Sequence, residues 1–472
     1  MAHGVGELVQ THTLLSHLCA LRWEDVPAAT RERTKDLVLD HIGVTLFGAT
    51  MEWSRIVREV VGGEGGVAES TIYGGQRVPA RVAALVNGVA AHGIELDDTH
   101  DESLSHPGCV IIPAAFTLAE AHRISGTRFL TAMICGYEAM GRIGSVVGNV
   151  LIQRGFHPTA QAGVFGATAA AGLVLGLDLT KLTRAFGLAS SMSSGSMKFT
   201  QDAEGTMIKR MHAGMPSERG VLAAKLAASG FTGPRAAIEG PYGFATIFTG
   251  IDNLTRMVDG LGRSFEIDSI SIKLYPCCRM FHSLIEAIAE CRAMPGFQAD
   301  QIVSVEAYGP RNMLDGHLEF RPASTMAAQY SLPYTIAAAT MLDPADPDSF
   351  SVETMQRPDV LAVADKVKPN FSAELEALFP KRVPARVVFE MKDGRKLGST
   401  VLDSRSTPQK PIGRAEIVAK FRSMTNAILS AGHQDALIES VQMLDCAPDV
   451  EAVAALLRAD ASTKVLRVVG KA

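Results

Sequence analysis

From the N-terminus to about residue 265, hydrophobic positions recur every three or four residues, which is the spacing of α-helices that bury one or more faces. Several of these segments begin at a proline or an aspartate, residues favoured at helix starts. Seven helices are predicted, over residues 27–46, 79–89, 107–121, 129–147 and 158–175, after Asp178, and over 216–230. Their alanine and glycine content allows close approach, so an all-α bundle is expected.

The pattern changes near Ile267, where hydrophobic and polar residues begin to alternate as in β-strands. Strands are predicted over 267–272 and 302–308, with a hairpin over 386–401 around the turn sequence KDGR and helices over 281–292 and 325–342. After Pro411 three amphipathic helices are predicted, over 414–431, 433–444 and 449–460.

Together the two patterns predict a mainly α fold. An all-α helical domain is built from both chain ends, residues 1–266 and 405–472, and a smaller α+β lid domain, residues 267–404, is inserted between them.

The composition is that of a globular protein with a large core, since 47% of the 472 residues are hydrophobic and 20% are charged. A net charge of -5 without any long basic tract argues against a nucleic-acid partner. The uncharged segment 158–177 reaches membrane-spanning length, but its alanine, glycine and threonine content favours a buried helix and no membrane partner. Seven scattered cysteines without CxxC spacing, and an N-terminus without a signal-peptide pattern, favour the cytoplasm.

Two His-Pro pairs, at His106 and His157, each open one of the uncharged helical segments. Because proline is favoured in the first helical turn, each histidine is predicted to lie at a helix N-terminus, beside free backbone N–H groups. That position binds carboxylates or phosphates and lowers the pKa of a nearby imidazole, which keeps the imidazole neutral and usable as a base. The pattern therefore indicates an enzyme that moves protons on an anionic substrate.

Upstream of His106, residues 97–102 (DDTHDE) form a dense polar cluster between two apolar segments. Its carboxylates, together with a neutral histidine, are suited to deprotonating a carbon acid. Two other interpretations are open: the Asp-Asp-Thr sequence could cap the next helix, or the cluster could bind a metal. The possible metal ligands have a spacing that matches no zinc or non-haem iron motif; they are His92, Asp97, Asp98, His100 and His106.

Two further clusters carry charged or nucleophilic groups. Residues 206–212 follow a Ser/Gly-rich stretch and place Lys209 and His212 three positions apart, where they would hold carboxylates or form a solvated basic turn. Residues 273–282 contain the adjacent Cys277 and Cys278, without the third, spaced cysteine of an iron–sulfur site. No phosphate-binding glycine motif is present either, and no metal or organic cofactor is predicted.

These clusters together resemble the signature of the MmgE/PrpD family. The matching motifs cover most of the chain in the family's order: ELDDTHD (95–101), HPG (106–108), GFHPT (155–159), KRMHAG (209–214), KLYPCCR (273–279) and QYSLPY (329–334). The family includes 2-methylcitrate dehydratase, cis-aconitate decarboxylase and iminodisuccinate epimerase. The resemblance implies a homodimer in which each chain has a helical domain and a smaller lid domain. It also implies an active site between the two domains and no need for a metal or organic cofactor.

The resemblance also implies that the site is lined by Asp97, Thr99, His106, His157, Lys209 and Tyr330, and the other polar residues of the same clusters are expected to bind substrate. The expected catalytic residues are Asp97, His106, His157, Lys209 and Tyr330. The expected substrate-binding residues are Glu95, Thr99, His212, Lys273, Cys278, Arg279 and His282. Two of these depart from the decarboxylase pattern, which has an aspartate at the position of Glu95 and a histidine at that of Cys278. A thiol is mostly protonated at pH 7 and is a poor substitute base; His282, one turn onward, is a candidate to compensate.

The expected activity is that of a lyase acting on a small di- or tricarboxylate. Because the two departures weigh against cis-aconitate decarboxylase, a 2-methylcitrate dehydratase-like hydro-lyase is expected first, with decarboxylase-like and epimerase-like activities as alternatives. Two other classes stay open. One is a carboxylate-binding homologue without turnover, and the other is a metal-dependent hydrolase built on the Asp/His cluster.

Overall fold

The computed structural model describes residues 9–202 and 206–458, and it confirms a mainly α-helical chain. The N-terminal segment considered for a signal peptide, and the end of the helix predicted over 449–460, lie outside the described residues. The helices of the first part are α1 (Val9–Ala20), α2 (Ala28–Gly48), α3 (Glu52–Gly62), α4 (Ala80–Ala91), α5 (Gly108–Ala121), α6 (Gly126–Gln153), α7 (Pro158–Val174), α8 (Leu179–Ser190), α9 (Ile208–Ala228) and α10 (Phe244–Thr249).

The second part of the chain carries shorter elements. Its helices are α11 (His282–Arg292), α12 (Arg311–Leu314), α13 (Thr325–Gln329), α14 (Leu332–Met341), α15 (Val352–Met355), α16 (Pro358–Ala364) and α17 (Ala373–Glu376), followed by α18 (Arg414–Thr425), α19 (Ala431–Gln442) and α20 (Glu451–Leu457). The strands of the whole chain are β1 (Ser70–Thr71), β2 (Arg77–Val78), β3 (Thr99–His100), β4 (Ile270–Ser271), β5 (Ile302–Gly309), β6 (Val367–Phe371), β7 (Ala385–Met391) and β8 (Lys396–Val401). The three helices predicted after Pro411 are present: α18 ends six residues earlier than expected, α19 has the expected length but begins two residues earlier, and α20 begins two residues later.

Small residues determine how closely the central helices pack. Residues 158–172 of α7 are all buried, as predicted for this uncharged segment. A Cβ atom added to Gly166 would lie 3.0 Å from the carbonyl oxygen of Gly136 in α6, and one added to Gly220 in α9 would lie 2.4 Å from the Cβ of Ala167. Larger side chains at these positions would separate the helices that carry the site. Within the described part of the chain, no helix is long and apolar enough to span a membrane.

The main sheet has the strand order β6-β5-β7-β8. The predicted hairpin is confirmed, because β7 and β8 pair in antiparallel register with Phe389 opposite Leu397. β5 pairs antiparallel with β7 and parallel with β6. The sequence did not predict β6, which contains Pro369; proline is tolerated there because β6 lies at the edge of the sheet.

The chain has two large hydrophobic cores. One contains residues from the first 272 positions together with Ile417, Phe421 and Leu437 of the C-terminal helices. The other contains only residues between Cys277 and Val401. We therefore propose to divide the chain between positions 272 and 277, and to assign the C-terminal helices to the helical part. Residues 277–401 are called the α+β unit.

The strand predicted over 267–272 is wrong. Residues 266–269 form a 3-10 turn, and only Ile270–Ser271 form a strand, β4, which pairs with β3 beside the candidate site. Ile267, Ile270 and Ile272 all lie in the first core. The alternating pattern therefore reflects burial of one side of this segment against the helices, and not membership of the main sheet.

Two predicted helices have different limits, and both differences affect the site. α9 begins at Ile208 and contains Pro216, which was expected to start it, so Lys209 and His212 lie in its first turns. The helix predicted over 325–342 breaks after Gln329, because the hydroxyl of Ser331 accepts a hydrogen bond from the backbone N–H of Tyr334 and caps a new helix, α14. Tyr330 lies at this break.

Candidate active site

A cleft of about 680 Å³ lies between the helical part and the α+β unit. Six of the twelve predicted site residues line it. Thr99, His106 and His157 come from the helical part, and Cys278, Arg279 and Tyr330 come from the α+β unit. The other six predicted residues are Glu95, Asp97, Lys209, His212, Lys273 and His282, and all are buried outside the lining of this cleft.

Asp97 holds two imidazoles in place. Its Oδ2 atom lies 2.6 Å from Nδ1 of His92 and 3.2 Å from Nδ1 of His106. The Nδ1 atom of His106 also lies 3.1 Å from the carbonyl oxygen of Asp98. With Nδ1 directed at these oxygens, the other ring nitrogen of His106 is the one available to a molecule in the cleft.

The pKa values of this group follow from burial and mutual charge. Burial, with a smaller contribution from Lys209, lowers the pKa of His92 to about 3. Burial also lowers the pKa of His106, while Asp97 opposes the shift. Burial alone would raise the pKa of Asp97, but the two imidazoles hold it well below its usual value. Asp97 is therefore a carboxylate that stabilises a positive charge on His106 whenever a proton arrives there.

His157 forms a second imidazole pair with His212. His157 is the N-cap residue of α7, and its Nδ1 atom lies 3.1 Å from Nδ1 of His212 in α9. Burial lowers the pKa of His157 well below its usual value, with contributions from His212 and Lys209. Burial and Lys209 lower the pKa of His212 to about 4. The ring centroids of His106 and His157 are 6.4 Å apart, so two neutral imidazoles face one cleft.

The N-terminus of α5 is already hydrogen-bonded to a side chain of the protein, that of Asp98. The backbone N–H of Gly108 donates to Oδ1 of Asp98 at 2.7 Å, and the hydroxyl of Tyr137 donates to Oδ2 of Asp98 at 2.6 Å. Burial raises the pKa of Asp98 to about 7. The cap interpretation of the Asp-Asp-Thr sequence is thus confirmed for Asp98. The pKa values of His106 and His157 are lowered, as expected. The main cause is burial, and not the positive end of a helix dipole.

Behind the cleft lies a fully buried cationic group, in which three side chains surround one carboxylate. Glu95 forms ion pairs with Lys209, with Arg210 at 2.5 Å and with Lys273 at 2.9 Å. The hydroxyl of Tyr330 donates to Oε2 of Glu95 at 3.3 Å, which links this group to the cleft wall. Glu95 has a backbone φ of 58°, an uncommon conformation for a non-glycine residue that tends to occur at functional sites.

The charge of this group favours an anion nearby. Three cations face one carboxylate, and burial lowers the pKa of Lys209 to about 8. Lys209 also lies 5.1 Å from the ring centroid of Tyr330, a side chain that lines the cleft. Since unbalanced buried charge is costly, the group is stabilised when a carboxylate of a bound molecule comes close.

The remaining predicted residues have different surroundings. Arg279 donates to both carboxylate oxygens of Asp101, at 3.0 and 2.7 Å, so its charge is already paired. The Sγ atom of Cys278 lies 3.9 Å from Nε2 of His317, and burial raises the pKa of the thiol. The structure does not bring His282 to the cleft; its ring packs on Tyr275.

His317 is a cleft residue that the sequence did not predict. Its ring stacks on Tyr330 with centroids 5.7 Å apart, beside Cys278. Burial lowers its pKa to about 4. No motif surrounds it in the sequence, and only its position in the folded chain identifies it.

His92, Asp97 and His106 form the one group within the described residues that could hold a metal ion, with ligand atoms within 4.8 Å of one another. Ligands of one metal ion, at bond lengths of about 2.0–2.1 Å, are normally separated by more than the 2.6 Å between His92 and Asp97. That distance is typical of a hydrogen bond to a charged acceptor. The arrangement therefore favours an Asp–His proton-transfer pair.

Because the 2.6 Å contact between His92 and Asp97 is a hydrogen bond and not a pair of metal ligands, we expect extensive dialysis against EDTA, which removes bound metals, to leave turnover unchanged within about twofold. The measurement is the turnover rate before and after dialysis, with and without added zinc, manganese or magnesium. Loss of activity that one of these metals restores would instead assign the group of His92, Asp97 and His106 to a metal.

Two family models match the chain. The model of the MmgE/PrpD N-terminal domain matches residues 12–257, and that of the MmgE/PrpD C-terminal domain matches residues 275–446. The second match begins within the interval between the two hydrophobic cores.

Curated relatives match over nearly the whole chain. A cis-aconitate decarboxylase of Aspergillus terreus is 29% identical over 461 residues, which cover 93% of this chain and 93% of the relative. The human cis-aconitate decarboxylase is 27% identical over 455 residues, which cover 92% of this chain and 91% of the human enzyme. The mouse enzyme of the same name is 27% identical over 453 residues, which cover 90% of this chain and 88% of the mouse enzyme.

Proposed function

Because this chain belongs to the MmgE/PrpD family, we propose that it is a lyase that acts on a small di- or tricarboxylate without an added cofactor. One observation carries the proposal: the neutral imidazoles of His106 and His157 line one cleft, beside a buried group of three cations. Imidazoles transfer protons, and buried cations stabilise the negative charge that develops on a carboxylate when the neighbouring carbon loses a proton.

The reaction that this arrangement supports best is removal of water from a hydroxytricarboxylate such as 2-methylcitrate. His157 takes the proton from the carbon next to a carboxylate, because its surroundings keep it neutral. The resulting enolate-like charge is stabilised by Lys209 and its neighbours in the cationic group. The departing hydroxyl group takes its proton from Nε2 of protonated His106, the form that Asp97 stabilises, and leaves as water.

Elimination of water requires both a base and an acid, and the two imidazoles meet that requirement. They differ in their partners, since His106 lies beside a carboxylate and His157 beside a second neutral imidazole. Partners of this kind separate the proton affinities of two similar groups, which is how one site provides an acid and a base.

Decarboxylation of cis-aconitate is the second candidate, and the names of the matched relatives favour it. Loss of carbon dioxide requires a proton donor for the carbanion and no base for a C–H bond. Cys278 weighs against this candidate, because its thiol has a raised pKa and stands where the decarboxylase pattern has a histidine.

Incubation of the purified protein with citrate, 2-methylcitrate, cis-aconitate and iminodisuccinate in D₂O, followed by NMR, tests the proposal. New alkene carbon signals in ¹³C spectra are expected from 2-methylcitrate, together with a shift of its methyl signal. Methylene signals of an itaconate-type product from cis-aconitate would support the second candidate. Deuterium exchange of iminodisuccinate alone would indicate an epimerase, and thermal stabilisation without any product would indicate a carboxylate-binding protein.

A further inference from the structure

A second cavity lies on the far side of the His157–His212 pair. It has a volume of about 310 Å³, which is room for several water molecules. His212 lines this cavity and not the cleft, whereas His157 lines the cleft and not this cavity. The only direct polar link that the two rings make with each other is the 3.1 Å contact between their Nδ1 atoms.

The wall of the second cavity is mostly apolar, but one part of it carries polar groups. These are Ser194, Ser196, Lys198 and Arg219, of which the exposed Ser196 and Lys198 also line the cleft. Arg219 donates to the hydroxyl of Ser194 at 2.6 Å, which fixes these two side chains. A cavity of sufficient volume holds water where such polar groups can bind it, and His212 lines the same cavity.

Phe199 lines the second cavity and packs against both rings of the histidine pair. Its ring centroid lies 5.5 Å from that of His157 and 5.6 Å from that of His212. Both histidines are about 95% buried, since each has a relative exposure of 5%. A proton on His157 therefore has His212 as its nearest route away from the cleft.

The pair can carry a proton only if one Nδ1 atom has a hydrogen and the other has a lone pair. A contact of 3.1 Å between two imidazole nitrogens requires that arrangement. Because burial keeps both rings neutral, each can take either tautomer at neutral pH.

We propose that His157 and His212 form a proton relay that connects the cleft to the water of the second cavity. This inference rests on the proposed function, and it assigns His212 a proton-transfer role in place of substrate binding. His157 accepts the substrate proton at Nε2 and releases its Nδ1 hydrogen to Nδ1 of His212. His212 then releases its Nε2 hydrogen to water in the cavity, so that one proton enters and one leaves.

The relay is tested first by ¹⁵N NMR of histidine-labelled protein, which needs no substrate. The result expected is one Nδ1–H within this pair, bonded to an unprotonated Nδ1. Signals showing both rings protonated at Nε2 alone would overturn the relay. Because this measurement is independent of turnover, it remains decisive if none of the four carboxylates reacts and the proposed function fails.

The second test replaces His212 with asparagine or with alanine. Asparagine can still hydrogen-bond to His157 but cannot pass a proton on, so the relay predicts at least about a tenfold loss of kcat with an unchanged melting temperature. His122→Asn, at an exposed histidine on the surface, is the matched control and should leave kcat unchanged. If His212→Asn keeps wild-type kcat, His212 only orients His157 and the relay is wrong.

Chemical rescue distinguishes a relay from a structural role. Imidazole added to His212→Ala should restore turnover, and the restored rate should vary with the pKa of the imidazole across a substituted series. A loss of turnover that no imidazole restores would assign His212 a structural role and overturn the relay, even if the wild-type enzyme dehydrates its substrate.

Discussion

Replacing Asp97 with asparagine should lower turnover by about 10²- to 10⁴-fold while leaving the fold intact. Asp97 accepts hydrogen bonds from His92 and His106 through a single carboxylate oxygen. An amide at this position removes the charge that stabilises protonated His106, and it allows the imidazole to take the wrong tautomer. The acid that protonates the departing hydroxyl group is then lost.

Asp98→Asn is the matched control for this substitution, since it makes the same change one residue further on. Asp98 caps α5 and bonds to Tyr137, and its side chain is outside the proton-transfer groups. We expect it to lower the melting temperature and to change kcat by no more than about threefold. If Asp97→Asn and Asp98→Asn have equal effects on kcat, the role assigned to Asp97 is wrong. The measurement is steady-state turnover together with thermal melting.

Replacing Lys209 with methionine should lower kcat/KM by about 10²- to 10³-fold, because it removes a buried positive charge from the place where negative charge develops on the substrate. Glu95 keeps Arg210 and Lys273 as partners, so the carboxylate is not left unpaired. Lys225→Met, at an exposed lysine on the same helix α9, should leave kcat/KM within about twofold.

The same lysine predicts the pH dependence of the reaction. The pKa of Lys209 is lowered by burial to about 8, and its charged form exists below that value. If the charged form is required, kcat/KM falls as the pH rises through about 8, by about tenfold for each further pH unit. This alkaline decrease should be absent from the Lys209→Met variant. A wild-type profile that stays flat to pH 10 would contradict the role of Lys209.

The motifs of the sequence located six of the residues that line the cleft, and the two histidines among them, His106 and His157, were found because each precedes a proline. They could not show what each residue contacts. Glu95 and Lys209 are 114 positions apart, and only the packing of α9 shows that Glu95 neutralises a cation instead of facing the cleft. The pairing of His157 with His212, 55 positions apart, was likewise invisible in the sequence.

Local sequence patterns also predicted a wrong element or a wrong helix boundary where tertiary packing determined the structure. Alternation over 267–272 looked like a strand of the main sheet, but it came from burial against the helical core. Pro216 looked like a helix start, yet α9 continues through it, and this places Lys209 and His212 on an ordered helix. His317 had no sequence signal at all, because its importance depends on Tyr330 and Cys278 lying beside it.

The roles of His157 and His106 are tested most directly by measuring deuterium exchange and turnover together, for wild type, His157→Asn and His106→Asn. The substrate is the hydroxytricarboxylate that the wild type dehydrates. If His157 is the base, His157→Asn should lose both exchange at the substrate C–H and turnover by at least about 10²-fold. If His106 is the acid, His106→Asn should lose turnover to a similar extent yet still exchange the C–H hydrogen with solvent. Near wild-type turnover in both variants, or full exchange by His157→Asn, would contradict the placement of the active site in this cleft.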